Sequence, residues 1–193
     1  VTTDKVYRNE ENARSYEEGD PLGGYDPYSA SKAACEILVA SYRSNFLSHI
    51  GIATARAGNV IGGGDWSDDR LIPDAIRAWS HQKTLSIRRP DSVRPWQHVL
   101  EPLVGYLILA QRLFDDASLG AAYNFGPDVV DAVSVRQIID EAIIQFKNGQ
   151  VNYANDILGP HEAGLLHLNN QLAKQTLGVM PRWHLQDAVQ KSV

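Results

Sequence analysis

One cysteine, Cys35, stands in 193 residues, so no internal disulfide can form, which fits a reducing cytoplasm. Paired cysteines for a zinc site are missing too. The His161-Glu162 pair falls short of H-E-x-x-H because Leu165 stands where the second histidine would be, and no metal is assigned. Basic charge is scarce: 18 Lys+Arg against 23 Asp+Glu leave a formal charge of −5, with no field to attract nucleic acid or a membrane surface. No apolar run is long enough to span a bilayer, and no basic stretch leads into an apolar one as in a signal peptide. Repeats and low-complexity tracts are absent, and no Gly-x-Ser-x-Gly elbow supports a hydrolase triad. Two further absences concern the chain as a whole. It opens on Val1 rather than Met, and no G-x-G-x-x-G follows a strand and opens a helix. We therefore expect the later part of a longer protein.

What is present suffices for a folded core, since 44% of the residues are apolar. The reading turns on Tyr25-Asp26-Pro27-Tyr28-Ser29-Ala30-Ser31-Lys32. Asp26 can cap a helix and Pro27 suits its first position, which predicts a helix to about Phe46. Tyr28 and Lys32 then lie one turn apart on one face, a spacing that suits proton transfer by a phenol beside an ammonium. Cys35, Leu38, Val39, Tyr42 and Phe46 recur at steps of three and four and predict a buried stripe. Tyr-x-x-x-Lys arises by chance in many helices, so its neighbours decide its meaning.

Val1-Thr2-Thr3 reads as the end of a strand, with Asp4 and Lys5 just beyond it, where ligands collect in open α/β sheets. A polar loop over 8–24, the Tyr28 helix and a strand at Ile52–Arg56 then suggest a parallel-sheet unit. Gly58-Asn59-Val60-Ile61-Gly62-Gly63-Gly64 leaves that strand with the freedom to bring backbone close to a ligand. A helix is predicted from about Asp69 to Trp79 and a short strand at Leu85-Ser86-Ile87. Arg94 suits a phosphate contact, whereas Arg88 and Arg89 read as a solvated turn. Further on, a strand is predicted at Trp96–Val99, and an apolar helix from Leu103 to Leu113 packs on the sheet. Another strand runs to Gly126. A helix capped by Ser134 spans Val135–Phe146. Asn170 caps a helix that Gly178 stops, and a last helix starts near Leu185.

Thr3-Asp4-Lys5 followed by Tyr28-x-x-x-Lys32 resembles the extended short-chain dehydrogenases/reductases. Gly62-Gly63-Gly64-Asp65-Trp66, Asp69–Asp74, Arg94–Leu103, Asn124-Phe125-Gly126-Pro127 and His161-Glu162-Ala163 narrow the likeness. Together they resemble the CDP-glucose 4,6-dehydratases over nearly the whole chain. The resemblance implies an α/β fold: the C-terminal part of a Rossmann-type doubly wound parallel sheet plus a smaller mixed α/β substrate-binding domain. Residues 1–62, with 96–127 returning to them, would complete the NAD-binding domain, and 63–95 and 128–193 would bind the nucleotide sugar. It implies a lyase that uses NAD on CDP-glucose, in deoxysugar synthesis for lipopolysaccharide O-antigen, and a homodimer formed through the Tyr28 and Leu103–Leu113 helices.

Carried over residue by residue, the resemblance makes Tyr28 the base at the sugar C4 hydroxyl and Lys32 the holder of the nicotinamide ribose. Thr3 would bond the C4 oxygen, Asp4 would assist loss of the C6 hydroxyl, and Lys5 would take part in removing the C5 proton. Gly58, Asn59 and Val60 would border the cofactor; Asn59, Arg70, Leu71, Arg94, His161 and Glu162 would contact the substrate. Two other readings compete. A nucleotide-sugar 4-epimerase shares Tyr28 and Lys32 but has no need of an Asp4-Lys5 pair. A non-catalytic dimerisation or nucleotide-binding module would fit a chain lacking the glycine-rich turn, and on that ground the chain alone is expected neither to hold NAD nor to dehydrate sugar.

Overall fold

Asp26 starts the first helix as its position predicts. Its carboxylate accepts from the Ser29 amide at 2.9 Å and from the Ser29 hydroxyl at 2.6 Å, and Pro27 follows. The computed structural model describes residues 1–10, 14–154 and 166–193. In chain order the elements are α1 (Pro27–Asn45), β1 (Thr54–Ala57), β2 (Val60–Ile61), α2 (Leu71–Ser80), β3 (Leu85–Ile87), β4 (Val93–Arg94) and β5 (Gln97–His98). There follow α3 (Leu100–Asp115), β6 (Ala122–Phe125), β7 (Val133–Ser134), α4 (Val135–Phe146), β8 (Val151–Tyr153), α5 (Gln171–Leu177) and α6 (Leu185–Gln190). Pairs β1–β6, β2–β5 and β3–β8 are parallel, and β4–β7 is antiparallel. Parallel partners joined through helices make this an α/β fold. No helix of the described residues is long and apolar enough to cross a membrane.

Three apolar clusters hold these layers together. Ala55, Ala57, Tyr123 and Phe125 of β1 and β6 are covered by Leu109 of α3 and by Ala173 and Leu177 of α5. Gly105 permits the α3 approach, because a Cβ there would sit 2.5 Å from the Phe125 ring. A second cluster joins α2, α4 and α6 to β3 and includes Trp79, Trp96, Ile138, Ile139 and Val189. The third packs Val6, Tyr7 and Tyr16 against Ala33, Leu166 and Leu168.

Ser134 closes a capping box: its hydroxyl accepts from the Gln137 amide, and its own amide donates back to the Gln137 side chain, so α4 has the predicted bounds. Other expectations need correction. Val1–Thr3 form no ladder; Thr2 N donates to Ala55 O at 2.8 Å, and a 3-10 turn, Asp4–Val6, takes over at once. Asn170 stands at the N-cap of α5 as expected, but its side chain makes no cap bond. Its amide instead donates to Gly126 O at 3.0 Å and Asp128 Oδ1 at 3.1 Å, tying α5 to the end of β6. The stripe expected to be buried on α1 faces outward: Cys35, Leu38, Tyr42 and Phe46 are exposed, and the helix buries Ser29, Ala33 and Glu36. The small Ala33 admits close packing, and the Glu36 carboxylate has charged and hydroxyl partners on β1. These contacts outweigh apolar burial in setting the helix's rotation. On α3, likewise, Pro102, Gly105 and Leu109 are buried while Leu103, Val104 and Leu107 are exposed.

Candidate active site

β1 ends at Ala57, and Gly58 and Asn59 carry the chain into a cavity of about 880 Å³ outside its carboxyl end. Thr3, Lys5, Tyr28, Gly58, Asn59, Val60, Arg70, Leu71 and Arg94 all line it. Of the remaining residues singled out, Lys32 stands one turn behind Tyr28, with Nζ 5.8 Å from the centre of its ring. Asp4 is wholly buried. His161 and Glu162 lie outside the described residues.

The Thr3-Asp4-Lys5 segment is bonded to itself. Asp4 Oδ1 accepts from the Thr3 hydroxyl at 2.9 Å and from Lys5 Nζ at 3.2 Å. Asp4 Oδ2 is buried without a hydrogen-bond partner. A Cβ at Gly58 would stand 3.2 Å from Oδ2 and 2.6 Å from Pro95 Cγ, so the close pass of this turn over Asp4 requires glycine. The cavity is thus faced by the Thr3 hydroxyl and the Lys5 ammonium, with a carboxylate behind both. Of the following glycines, Gly64 takes a positive φ of 85°.

The cavity wall bears both signs of charge, with Asp65, Asp69 and Asp74 among the lining residues beside a group of arginines. Arg88 and Arg89, expected in a solvated turn, line the cavity with Arg70 and Arg94, because the β3–β4 connection runs along its rim. Arg77 holds the neighbouring loop in shape: it donates to Trp66 O at 2.7 Å and Ser67 O at 3.0 Å, behind the segment that carries Arg70. Four guanidinium groups around one opening suit a ligand bearing phosphates.

Sequence reasoning missed a buried network under this site. Glu36 accepts from Arg56 Nη2 at 2.8 Å, from the Thr54 hydroxyl at 2.6 Å and from the Thr2 hydroxyl. Arg56 Nη1 donates to the Tyr7 hydroxyl at 2.9 Å, which donates to Asn124 Oδ1 at 2.6 Å. Burial pushes the Glu36 carboxyl up, but the bonds from Arg56, Thr2 and Thr54 and the Arg56 charge outweigh it and hold it below the usual glutamate range. Burial pushes the Tyr7 phenol up to about 12, against the opposing pull of Arg56. Two signals were available. Glu36 continues the four-residue spacing of Tyr28 and Lys32, and Arg56 interrupts an otherwise uncharged strand.

Comparisons with known proteins agree with the α/β fold. CDP-glucose 4,6-dehydratase of Salmonella typhimurium is 42% identical over 201 residues, covering 100% of this chain and 56% of that protein. The low-salt glycan biosynthesis protein Agl12 of Haloferax volcanii is 27% identical and is covered over 59% of its length. The chain therefore spans little more than half the length of these relatives. Among solved structures, dTDP-glucose 4,6-dehydratase of Bacillus anthracis in complex with NAD superposes with a TM-score of 0.83 at 20% identity, over 99% of this chain and 58% of that one. UDP-glucuronic acid 4-epimerase of Bacillus cereus with UDP-glucuronic acid and NAD gives 0.84 at 21% identity, over 99% and 58%. Residues 1–126, which supply the 3-10 turn, α1, the β1–β6 pair and the cavity's Tyr28 and arginines, match the model of one family, and the chain belongs to it: the NAD dependent epimerase/dehydratase family.

Proposed function

We propose that the protein to which this chain belongs is an NAD-dependent lyase that converts CDP-glucose to CDP-4-keto-6-deoxyglucose. The observation that carries this reading is the meeting of Thr3 and Lys5, held on Asp4, with Tyr28 on one arginine-lined cavity. An epimerase needs Tyr28 and Lys32; the acid–base pair beside them is what a dehydration adds. The likeness to a CDP-glucose 4,6-dehydratase over the full chain supports it.

The residues present fit the nicotinamide end of the cofactor. Tyr28, Gly58, Asn59 and Val60 line one wall, and Asn59 Oδ1 is a buried acceptor without a hydrogen-bond partner. NAD bound there would supply the acceptor for hydride from C4 and its return to C6. Lys32 would hold its ribose. Tyr28 takes the proton of the C4 hydroxyl, and the Thr3 hydroxyl bonds the C4 oxygen. The ketone acidifies C5–H. Across the 3.2 Å contact between them, the Lys5 ammonium first passes a proton to the Asp4 carboxylate. The amine so formed then removes the C5 proton while the C6 hydroxyl leaves as water with the proton that Asp4 now supplies, and both groups end as they began. Arg70 and Arg94, with Arg88 and Arg89, receive the diphosphate, and Leu71, His161 and Glu162 complete the substrate contacts.

We assign residues 1–62 and 96–127 to the cofactor-binding unit and 63–95 and 128–193 to the nucleotide-sugar unit, with α5 reaching back to the β1–β6 layer. The exposed apolar faces of α1 and α3 pair two subunits. The protein works in the cytoplasm, in deoxysugar synthesis for lipopolysaccharide O-antigen. The test is incubation of the intact protein with NAD and CDP-glucose, followed by mass and NMR analysis of the product. Loss of one water with a C6 methyl group is expected. A C4 epimer that keeps its C6 oxygen would transfer the protein to the epimerases, and no conversion would reject the reading.

A further inference from the structure

Glu36 receives bonds from three residues on two segments, although no chemistry has been assigned to it. It sits on α1 eight residues after Tyr28 and four after Lys32, so all three share one face of the helix. Its carboxylate is buried, with a side-chain exposure of 3%, and so is the guanidinium of Arg56 that faces it, at 4%. One of its oxygens, Oε2, is bound by Thr54 and Arg56, both on β1, whose end delivers Gly58 and Asn59. The other, Oε1, is bound by the hydroxyl of Thr2, the residue next to Thr3. The three pieces that build the cavity's reactive wall therefore meet on one side chain. Two divide by oxygen: β1 on Oε2, the Thr3 segment on Oε1.

We propose that Glu36 is a positioning residue that, through Thr2, sets where the Thr3 hydroxyl stands against the Tyr28 phenol. The turn after Thr3 is anchored by Val6, buried in the third cluster with Ala33 of α1, while ahead of Thr3 the Thr2 hydroxyl ties the segment to Glu36. Thr2 N donates to Ala55 O of β1, and the bonds of Thr3 itself go to its own neighbours Asp4 and Lys5. A lateral slip of this segment would move the C4-oxygen donor away from the base, and misplacement of about 1 Å costs on the order of 10²-fold in rate. The inference rests on the proposed roles of Tyr28 and Thr3.

Two matched substitutions in the intact protein test it. Thr2→Val and Thr54→Val each remove one hydroxyl bond to the same carboxylate and keep the side chain's shape. A merely structural role predicts like behaviour: similar losses of thermal stability and unchanged kcat in both. The positioning role predicts a split. Thr2→Val should lower kcat tenfold or more with little change in KM for the nucleotide sugar, whereas Thr54→Val should keep kcat within about twofold even where its melting temperature falls further. Equal kcat in the two variants, beside a Tyr28→Phe control that is inactive, would overturn the proposal and leave the reaction assignment standing. Wild-type activity in both Thr2→Val and Tyr28→Phe would instead remove the reaction assignment, and the positioning role with it. Glu36→Gln adds a third readout: it keeps a hydrogen-bonding side chain of the same length and should follow Thr2→Val in kcat. A folded Glu36→Gln protein with wild-type kcat would also count against the proposal.

Discussion

The ammonium of Lys32 stands 5.8 Å from the centre of the Tyr28 ring, one turn further along the same helix. Tyr28 is half-exposed on the cavity while Lys32 is set back from it, so the phenol meets a ligand first. Replacing Tyr28 with Phe should therefore cut turnover of the intact protein by about 10²-fold or more, the usual cost of removing a placed acid–base group. Steady-state kinetics on CDP-glucose measures it, and near-normal turnover would end the assignment.

Arg94 lines the cavity and donates from Nη1 to its neighbour's carbonyl, Val93 O, at 2.8 Å. Arg94→Lys keeps the charge and loses the fork. We expect CDP-glucose affinity to drop by about tenfold, as for loss of a charged hydrogen bond. Titration calorimetry with CDP-glucose would show it, and an unchanged Kd would place the diphosphate elsewhere.

Leu38, Tyr42 and Phe46 on α1 and Leu103, Val104 and Leu107 on α3 are all exposed. Apolar side chains exposed along two helices are a surface that the pairing of two subunits would cover. Light scattering of the intact protein at micromolar concentration should give twice the subunit mass, and Leu38→Glu with Leu107→Glu should give the monomer. A wild-type monomer rejects the pairing.

The Glu36–Arg56 pair makes stability depend on acid. The carboxyl of Glu36 is held below its ordinary value of 4.5 in the folded chain. Its stabilising contribution is complete above that unfolded value and is lost as pH falls through the lower folded one. Urea unfolding of the wild type should weaken more below about pH 4.5 than that of Glu36→Gln, which has no such proton to bind. Parallel acid limbs for the two proteins would contradict this.

Gly105→Ala sets two effects against each other. Alanine favours a helix interior over glycine by about 1 kcal/mol. Here its Cβ would sit 2.5 Å from one Phe125 ring carbon and 2.7 Å from the next. Overpacking of that order costs about 1–3 kcal/mol. Net destabilisation is expected in urea melts, and a gain in stability would mean that the Phe125 ring moves aside at little cost.

Elements with local signals were legible from the residues: Asp26-Pro27 set the start of α1, Ser134 and Gln137 that of α4, and Gly178 ended α5 with a φ of 73°. What failed was orientation. Periodicity located an apolar stripe on α1 but could not reveal that Thr54 and Arg56, distant in sequence, would draw Glu36 inward and turn the stripe to the surface. In the same way Arg88 and Arg89 looked solvated until the pairing of β3 with β8 and of β4 with β7 fixed the rim they occupy. Among the cavity residues, Tyr28 was marked by its spacing from Lys32, Lys5 by its place beyond a strand end and Arg94 by its suitability for phosphate, while the family resemblance gave each its role.

The parallel pairing of Thr54–Ala57 with Ala122–Phe125 has a consequence for the order of folding. Parallel strands cannot zip from a hairpin; this pair can close only after β2, α2, β3, β4, β5 and α3 have all left the ribosome. Until then Arg56 can already meet Glu36, the Tyr7 hydroxyl and Glu18 O, all of which precede it, and only Asn124, the acceptor for Tyr7, is still to come. The helix bearing Tyr28 can thus dock early on a cation whose partners are all in place, and β6 adds the acceptor that holds the Tyr7 hydroxyl only when it slides into register.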